Sequence, residues 1–190
     1  MKQSLPSEYF DDVYRAKADP WSFTSSPYEA EKYAKTLESL PQPRFQRAFE
    51  IGCSIGVLTA MLAPRCGELL AVDVSEAALE QAKQRCAHLP NVSLELMSIP
   101  REFPDGSFDL ILLSEIGYYW NSTDLALAQQ RIAEHLSDGG FLLLVHWTPI
   151  VDDYPSDGNA VHDSFLNHAA FRHVKGHRAE TYRLDVLARQ

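Results

Sequence analysis

The stretch FEIGCSIGVLTA, Phe49 to Ala60, decides how the rest of the chain is read. Its first half is apolar and strand-like, its second half opens a helix, and two glycines mark the turn between them. Gly52 and Gly56 carry no Cβ, so backbone can approach a ligand closely there. A dinucleotide turn needs G-x-G-x-x-G. Here Ser54 stands where the middle glycine belongs, so the turn holds something other than a pyrophosphate, or it holds nothing.

Working outward, strands and helices alternate from Arg47 onward. RAFEIG reads as a short buried strand, and the helix from about Ile55 must stop before Pro64. LLAVDV, Leu69 to Val74, is a second apolar strand ending on an acid. Ser75 then serves as N-cap, with Glu76 in the positive first turn. Leu79, Ala82, Cys86 and Leu89 line one helical face that ends at Pro90-Asn91. Val92 to Met97 alternates as a third strand. FDLILLSE, Phe108 to Glu115, and FLLLVHW, Phe141 to Trp147, are the nearly continuous apolar runs of strands covered on both faces. Between them Leu125, Ala128, Ile132 and Leu136 form a helical stripe that Asp138-Gly139-Gly140 is expected to stop. A short helix around Val161 to Asn167 and two closely spaced strands, Phe171 to His177 and Ala179 to Ala188, complete the pattern. In the first 45 residues, rich in aromatics, acids and prolines, one helical stretch is expected near Tyr28 to Leu40.

This order predicts an α/β fold: a doubly wound, mostly parallel sheet of seven strands with an antiparallel C-terminal hairpin. At 190 residues it is expected to be a single domain. Its parts are an N-terminal lid over 1–45, a ligand-binding core over 46–148 and a substrate-side loop with the hairpin over 149–190. A net charge of −9 argues against non-specific nucleic-acid binding, which relies on clustered Lys and Arg. The N-terminus lacks the apolar run of a signal peptide, and no segment approaches a membrane span. Cys53, Cys66 and Cys86 are too few and too irregular for a disulfide framework or a zinc site. His168, His173 and His177 lack metal-ligand spacing and read as surface residues, so no metal is expected. A cytoplasmic protein with reduced thiols is the expectation, with its oligomeric state open.

In such sheets ligands bind at the carboxyl ends of the strands, which makes the Gly52 turn the default site. Asp73 follows Gly56 by 17 residues, near the spacing at which an acid accepts from ribose hydroxyls. Glu50 would repel a pyrophosphate but could accept a hydrogen bond from an ammonium group. A ligand that joins an amino acid to a nucleoside, as S-adenosyl-L-methionine does, suits Glu50, Gly52, Gly56 and Asp73 together. The plainer alternative is that the glycines only allow close packing and Glu50 is a satisfied strand-end carboxylate.

EIGCSIG, AVDVSEAALEQA, FDLILLSE and HLSDGGFLLLVHW together resemble successive motifs of the class I S-adenosylmethionine-dependent methyltransferases, over about residues 46–148. DPWSFTSSPYE, Asp19 to Glu29, and LSEIGYYW, Leu113 to Trp120, resemble the nodulation protein S group. That group includes N-methyltransferases acting on the free amine of a deacetylated chitooligosaccharide. The resemblance implies that Glu50, Gly52, Ser54 and Gly56 surround the methionine part of the cofactor, that Asp73 holds the ribose and that Val74 lies against the adenine. Ser98 and Ile99 stand where many members place an adenine-reading acid. Ser114 and Glu115 would line the floor near the methyl group, and Trp21 and Tyr28 would belong to the lid.

An amine nucleophile must be neutral when it attacks, so a base near the strand ends is useful. Glu115 comes first, His146 second, and Tyr118 and Tyr119 stand beside them. Asp152, Asp153 and Asp157 lie among aromatics in the loop from Trp147 to Gly158, a mixture that suits an amino sugar or a solvated acidic loop. Fold relatives methylate oxygen, nitrogen, sulfur or carbon. An O-methyltransferase, a NAD-dependent oxidoreductase and a non-catalytic cofactor-binding protein therefore remain as alternatives at this point.

Overall fold

The structure, a computed structural model, describes residues 2–190. Its strands form a seven-stranded sheet in the order β3-β2-β1-β4-β5-β7-β6. The chain packs as two compact units.

The unit spanning Pro6–Ser98 holds α1 (Ser7–Ala16), α2 (Pro27–Glu38), β1 (Phe45–Ile51), α3 (Val57–Leu62), β2 (Cys66–Asp73), α4 (Glu76–Cys86) and β3 (Val92–Leu96). β1 pairs parallel with β2, and β2 pairs parallel with β3. Ala48, Phe49, Glu50 and Ile51 are all buried, because a strand inside a parallel sheet is covered on both faces. The strand order runs outward from β1 through β2 to β3, so the carboxyl end of β1 is where the order reverses. α4 begins as its sequence predicts: Ser75 Oγ accepts from the Ala78 amide at 3.3 Å, with Glu76 in the first turn and Lys83 and Arg85 in the last. α3 stops at Leu62, and Pro64 falls in a single 3₁₀ turn.

The second unit, Ile99–Gln190 with the first residues of the chain, holds β4 (Phe108–Ser114), α5 (Ser122–His135), β5 (Leu136–Trp147), α6 (Gly158–Leu166), β6 (Phe171–Arg178) and β7 (Tyr182–Arg189). β4 and β5 are parallel, and β7 runs antiparallel to both β5 and β6. β7 is buried through most of its length between these two neighbours, whereas β6 is largely exposed as the edge strand.

Two expectations need correction. The N-terminal region carries two helices, not one. α1 follows Pro6, and of its ten residues only Tyr14 is buried. Tyr14 joins Ile55 and Ala78, with Trp21 and Phe23 packed alongside. So short a helix is marginal alone and forms because of this packing. The second correction concerns Asp138-Gly139-Gly140, which does not end a helix but lies inside β5. Helix α5 already ends at His135, and the register of β5 against β4 shifts between the pairs Phe108–Leu136 and Leu110–Phe141. Gly139, at φ 71°, takes up the bulge in a conformation that side chains disfavour.

Phe49 is fully buried in β1 and cannot be shortened without leaving a cavity. Phe49→Ala is expected to lower the unfolding free energy by about 3–5 kcal/mol. Urea denaturation would show this as a lower midpoint at unchanged slope.

Candidate functional site

The turn after β1 is built from left-handed backbone. Gly52, Ser54 and Gly56 have φ of 78°, 53° and 77°. Ser54 therefore adopts a conformation that glycine would take more easily, at a cost of about 1 kcal/mol. Its bonds offset that cost: the Ser54 amide donates to Asp73 Oδ2 at 2.7 Å, and its hydroxyl meets the Tyr14 hydroxyl at 2.5 Å. Gly52 and Cys53 amides both donate to the Val72 carbonyl, at 2.8 and 2.9 Å, which clamps the turn to the end of β2. Gly56 has a packing role as well. A Cβ there would lie 3.0 Å from Ala82, so its absence lets α3 and α4 approach.

Asp73 closes β2. Its Oδ1 accepts the Ser75 amide at 3.0 Å while Oδ2 holds Ser54. Burial pushes its carboxyl above the usual range, and amide hydrogen bonds from Ser75, Ser54 and Val74 pull the other way. Ser75 Oγ in turn donates to Asp11 Oδ1 at 2.6 Å, so α1 touches both serines that flank the acid through Asp11 and Tyr14.

Glu50 is a buried carboxyl next to this turn. It is 2% exposed, and its Oε2 is buried without a hydrogen-bond partner among the described residues. Burial raises its pKa to about 7, with Asp73 adding to the rise and the neighbouring Thr59 hydroxyl opposing it. Most buried side-chain oxygens in folded proteins are hydrogen-bonded, which makes Glu50 Oε2 a candidate ligand contact. Val74 is half-buried beside Asp73 and Ser98 is exposed beyond β3. Trp21 is half-buried against Tyr14 and Phe23, and Tyr28 carries the Lys32 ammonium 5.2 Å above its ring centroid. Seven of the expected cofactor residues, Glu50, Gly52, Ser54, Gly56, Asp73, Val74 and Trp21, thus lie on or beside one turn, while Tyr28 sits on α2.

In the second unit β4 ends at Ser114, half-buried, and Glu115 follows with φ 59°. The Glu115 amide donates to the Val145 carbonyl at 2.8 Å. Its Oε2 accepts both the Tyr118 hydroxyl at 2.7 Å and the Trp147 amide at 2.8 Å. A 3₁₀ turn, Gly117–Tyr119, carries the tyrosines. Tyr118 stacks on Tyr154 at 5.3 Å, and Tyr119 packs edge-on against both. Burial pushes both Tyr118 and Tyr119 phenols well above their usual range, with Glu115 next for Tyr118 and Tyr154 next for Tyr119. They stay protonated and act as donors. Ile99 is half-buried at the start of this unit.

His146 stands next to last in β5, at the carboxyl end where it was expected. Its ring is fully buried; Nε2 accepts the Gly117 amide at 3.1 Å and Nδ1 lies 3.0 Å from His162 Nε2. Both ring nitrogens are thus engaged within the protein. His173 is exposed, as expected of a surface residue, and its Nε2 also sits 2.9 Å from Asp185 Oδ1. Sequence reasoning passed over Asp11, Tyr14, His162, Arg183 and Asp185. The clue to His162 was its place with Gly158, Val161 and Phe165 on the buried stripe of α6, where a histidine needs a polar partner.

Comparison with known proteins follows this geometry. The family model of nodulation protein S (NodS) matches residues 11–145. A nodulation protein S of Rhizobium tropici is 30% identical over 130 residues, 67% of this chain and 55% of that protein. The chain spans about half the length of the curated relatives it matches. Among solved structures, a putative methyltransferase from Pseudomonas syringae is 35% identical with a TM-score of 0.74, covering 85% of this chain and 99% of that one. The N-methyltransferase NodS from Bradyrhizobium japonicum WM9, in complex with S-adenosyl-L-homocysteine, shares the fold at a TM-score of 0.85 and 24% identity, covering 96% and 98%.

The raised pKa of Glu50 has a consequence for stability. Between about pH 4.5 and 7 the folded protein keeps a proton that the unfolded chain has lost, so stability falls as pH rises through that window. Without ligand, Glu50→Gln is expected to be more stable than the parent at pH 8, by about 2–3 kcal/mol. The two should converge near pH 4.5, as urea titrations at both pH values would reveal.

Proposed function

The chain belongs to the nodulation protein S family, and on that premise we propose that it transfers a methyl group from S-adenosyl-L-methionine to an amine nitrogen of a small polar acceptor. The observation that carries the reading is the buried, unpartnered Oε2 of Glu50 at the end of β1. An ammonium group satisfies that oxygen and keeps the carboxyl ionised, which a pyrophosphate cannot do. Asp73 would hold the ribose hydroxyls, Val74 would lie against the adenine, and the left-handed Gly52–Gly56 backbone, tied to Asp73 through Ser54, would face the amino-acid part. When bound, the cofactor supplies a sulfonium methyl carbon as electrophile and leaves as S-adenosyl-L-homocysteine.

The residues of this chain bind, orient and handle one proton. Glu115 takes the proton that the attacking amine loses, while Tyr118 and the Trp147 amide hold its carboxylate in place. Tyr118, protonated at neutral pH, gives its one hydroxyl proton to Glu115, and Tyr119 packs edge-on beside it, so the pair offers a polar acceptor aromatic surface. The acceptor class is an amino sugar or a deacetylated oligosaccharide. Support comes from the resemblance of DPWSFTSSPYE and LSEIGYYW to the nodulation group and from carboxylate and aromatics gathered at Glu115.

Calorimetric titration with S-adenosyl-L-homocysteine tests the first half. Glu50→Gln should weaken binding by about 10- to 100-fold, the loss of one charge-assisted bond. Affinity in the parent should fall as pH drops below about 7, with up to one proton released per binding event there. No heat from the parent at millimolar ligand would end the proposal. For the second half, labelled methyl groups should reach glucosamine and deacetylated chitin oligosaccharides but not their N-acetylated forms. Glu115→Gln is expected to slow that transfer by about 100-fold or more. Transfer to phenols or carboxylates instead would replace the amine by an oxygen acceptor.

A further inference from the structure

The second unit contains a run of buried polar groups to which the transfer chemistry assigns no task. It passes from the Gly117 amide through His146 on β5 and His162 on α6 to Asp185 on β7. The rings of His146 and His162 are fully buried, and Asp185 is 4% exposed.

The direction of every bond in this run follows from its first member. A backbone amide can only donate, so the His146 Nε2 it meets must be the bare ring nitrogen. The proton of a neutral His146 then sits on Nδ1 and points at His162 Nε2, which must accept. His162 therefore carries its own proton on Nδ1, 2.7 Å from Asp185 Oδ2. A second proton on either ring would set one N–H against another along the run.

The surroundings hold that arrangement. Arg183 Nε donates to Asp185 Oδ2 at 2.6 Å, and its Nη1 donates to Asp163 Oδ1 at 2.7 Å. His173 occupies the other Asp185 oxygen. Burial lowers the His162 pKa, Asp185 opposes, and Arg183 and Arg178 add to the lowering. A contact needed only for packing would be built from apolar side chains, with no desolvation penalty. Gly117 is shaped to the same end. A Cβ there would fall 2.5 Å from Val161 and 3.1 Å from His146 Nε2, so only glycine brings the turn onto the ring.

We propose that His146, His162 and Asp185 are positioning residues for the acceptor: Asp185 sets the tautomer of His162, His162 that of His146, and the bare His146 Nε2 orients the Gly117–Tyr119 turn that places Tyr118 on Glu115. The inference rests on the methyl-transfer reading only in treating Glu115 and Tyr118 as acceptor groups.

Nitrogen NMR of the ¹⁵N-histidine-labelled full chain reads the tautomers without any acceptor. Neutral Nδ1–H rings are expected for both His146 and His162 at neutral pH. An Nε2–H tautomer of His146, or a charged ring, overturns the proposal. In Asp185→Asn, exchange of the Gly117 amide should quicken by about tenfold, the loss of one bond's hold on the turn. With glucosamine as the probe acceptor, KM should rise by about tenfold while kcat changes little. The Kd of S-adenosyl-L-homocysteine should stay within about twofold, because the cofactor residues are untouched. Unchanged Gly117 exchange, or an equal loss of both affinities, overturns it. If Asp185→Asn does not fold, His162→Gln takes its place and the parent tautomers still decide. A parent chain that methylates no amine removes the functional reading alone, leaving tautomer and exchange to judge this inference.

Discussion

The carboxylate of Asp73 is the constraint on which the first unit depends. One oxygen holds the Ser54 amide in the turn after β1, and the other holds the Ser75 amide at the start of α4. A buried carboxylate is costly unless hydrogen bonds satisfy it, and two charge-assisted amide bonds contribute about 1.5–3 kcal/mol each. They join the end of one strand to the turn of another and to a helix N-terminus. Ser54 can occupy left-handed backbone because Asp73 holds it there, and Ser75 can cap α4 because the same group fixes its amide. The chain's own hydrogen bonds thus fix the shape of the turn.

Glu50 shows the opposite economy. Its neighbours leave one oxygen unsatisfied, and burial holds its proton to about neutral pH. A fold tolerates such a group when a ligand completes it, and stability is then lower without the ligand than with it. The second unit solves a similar problem internally. Gly117, His146, His162 and Asp185 satisfy one another in a fixed sequence of donors and acceptors, and Arg183 balances the charge. One cluster is complete by itself, and the other keeps one oxygen without a partner among the described residues.

Much of this was legible before the structure. Strand and helix alternation from Arg47 onward, the buried central strands and the C-terminal hairpin all appear in the sheet. Two places misled. Asp138-Gly139-Gly140 carries the residues of a helix stop, but the same residues also suit a strand bulge, and local propensity cannot choose between them. Helix α1 gathers its apolar residues on one face, but it is short and largely polar, and tertiary burial of Tyr14 supplies what local propensity lacks.

The sequence by itself determined the order of elements and the residues at the glycine turn, because hydrophobic period and turn chemistry are local properties. It also placed Glu50 and Asp73 at strand ends, where spacing alone sets their position. Only the tertiary structure decided what those residues do to one another. Asp11 meets Ser75 across 64 positions, Tyr14 meets Ser54 across 40, and His146 becomes a buried acceptor because Gly117, 29 positions earlier, turns its amide onto the ring. Hydrogen-bond direction and burial are properties of such distant pairs, and no pattern within a short window of sequence contains them.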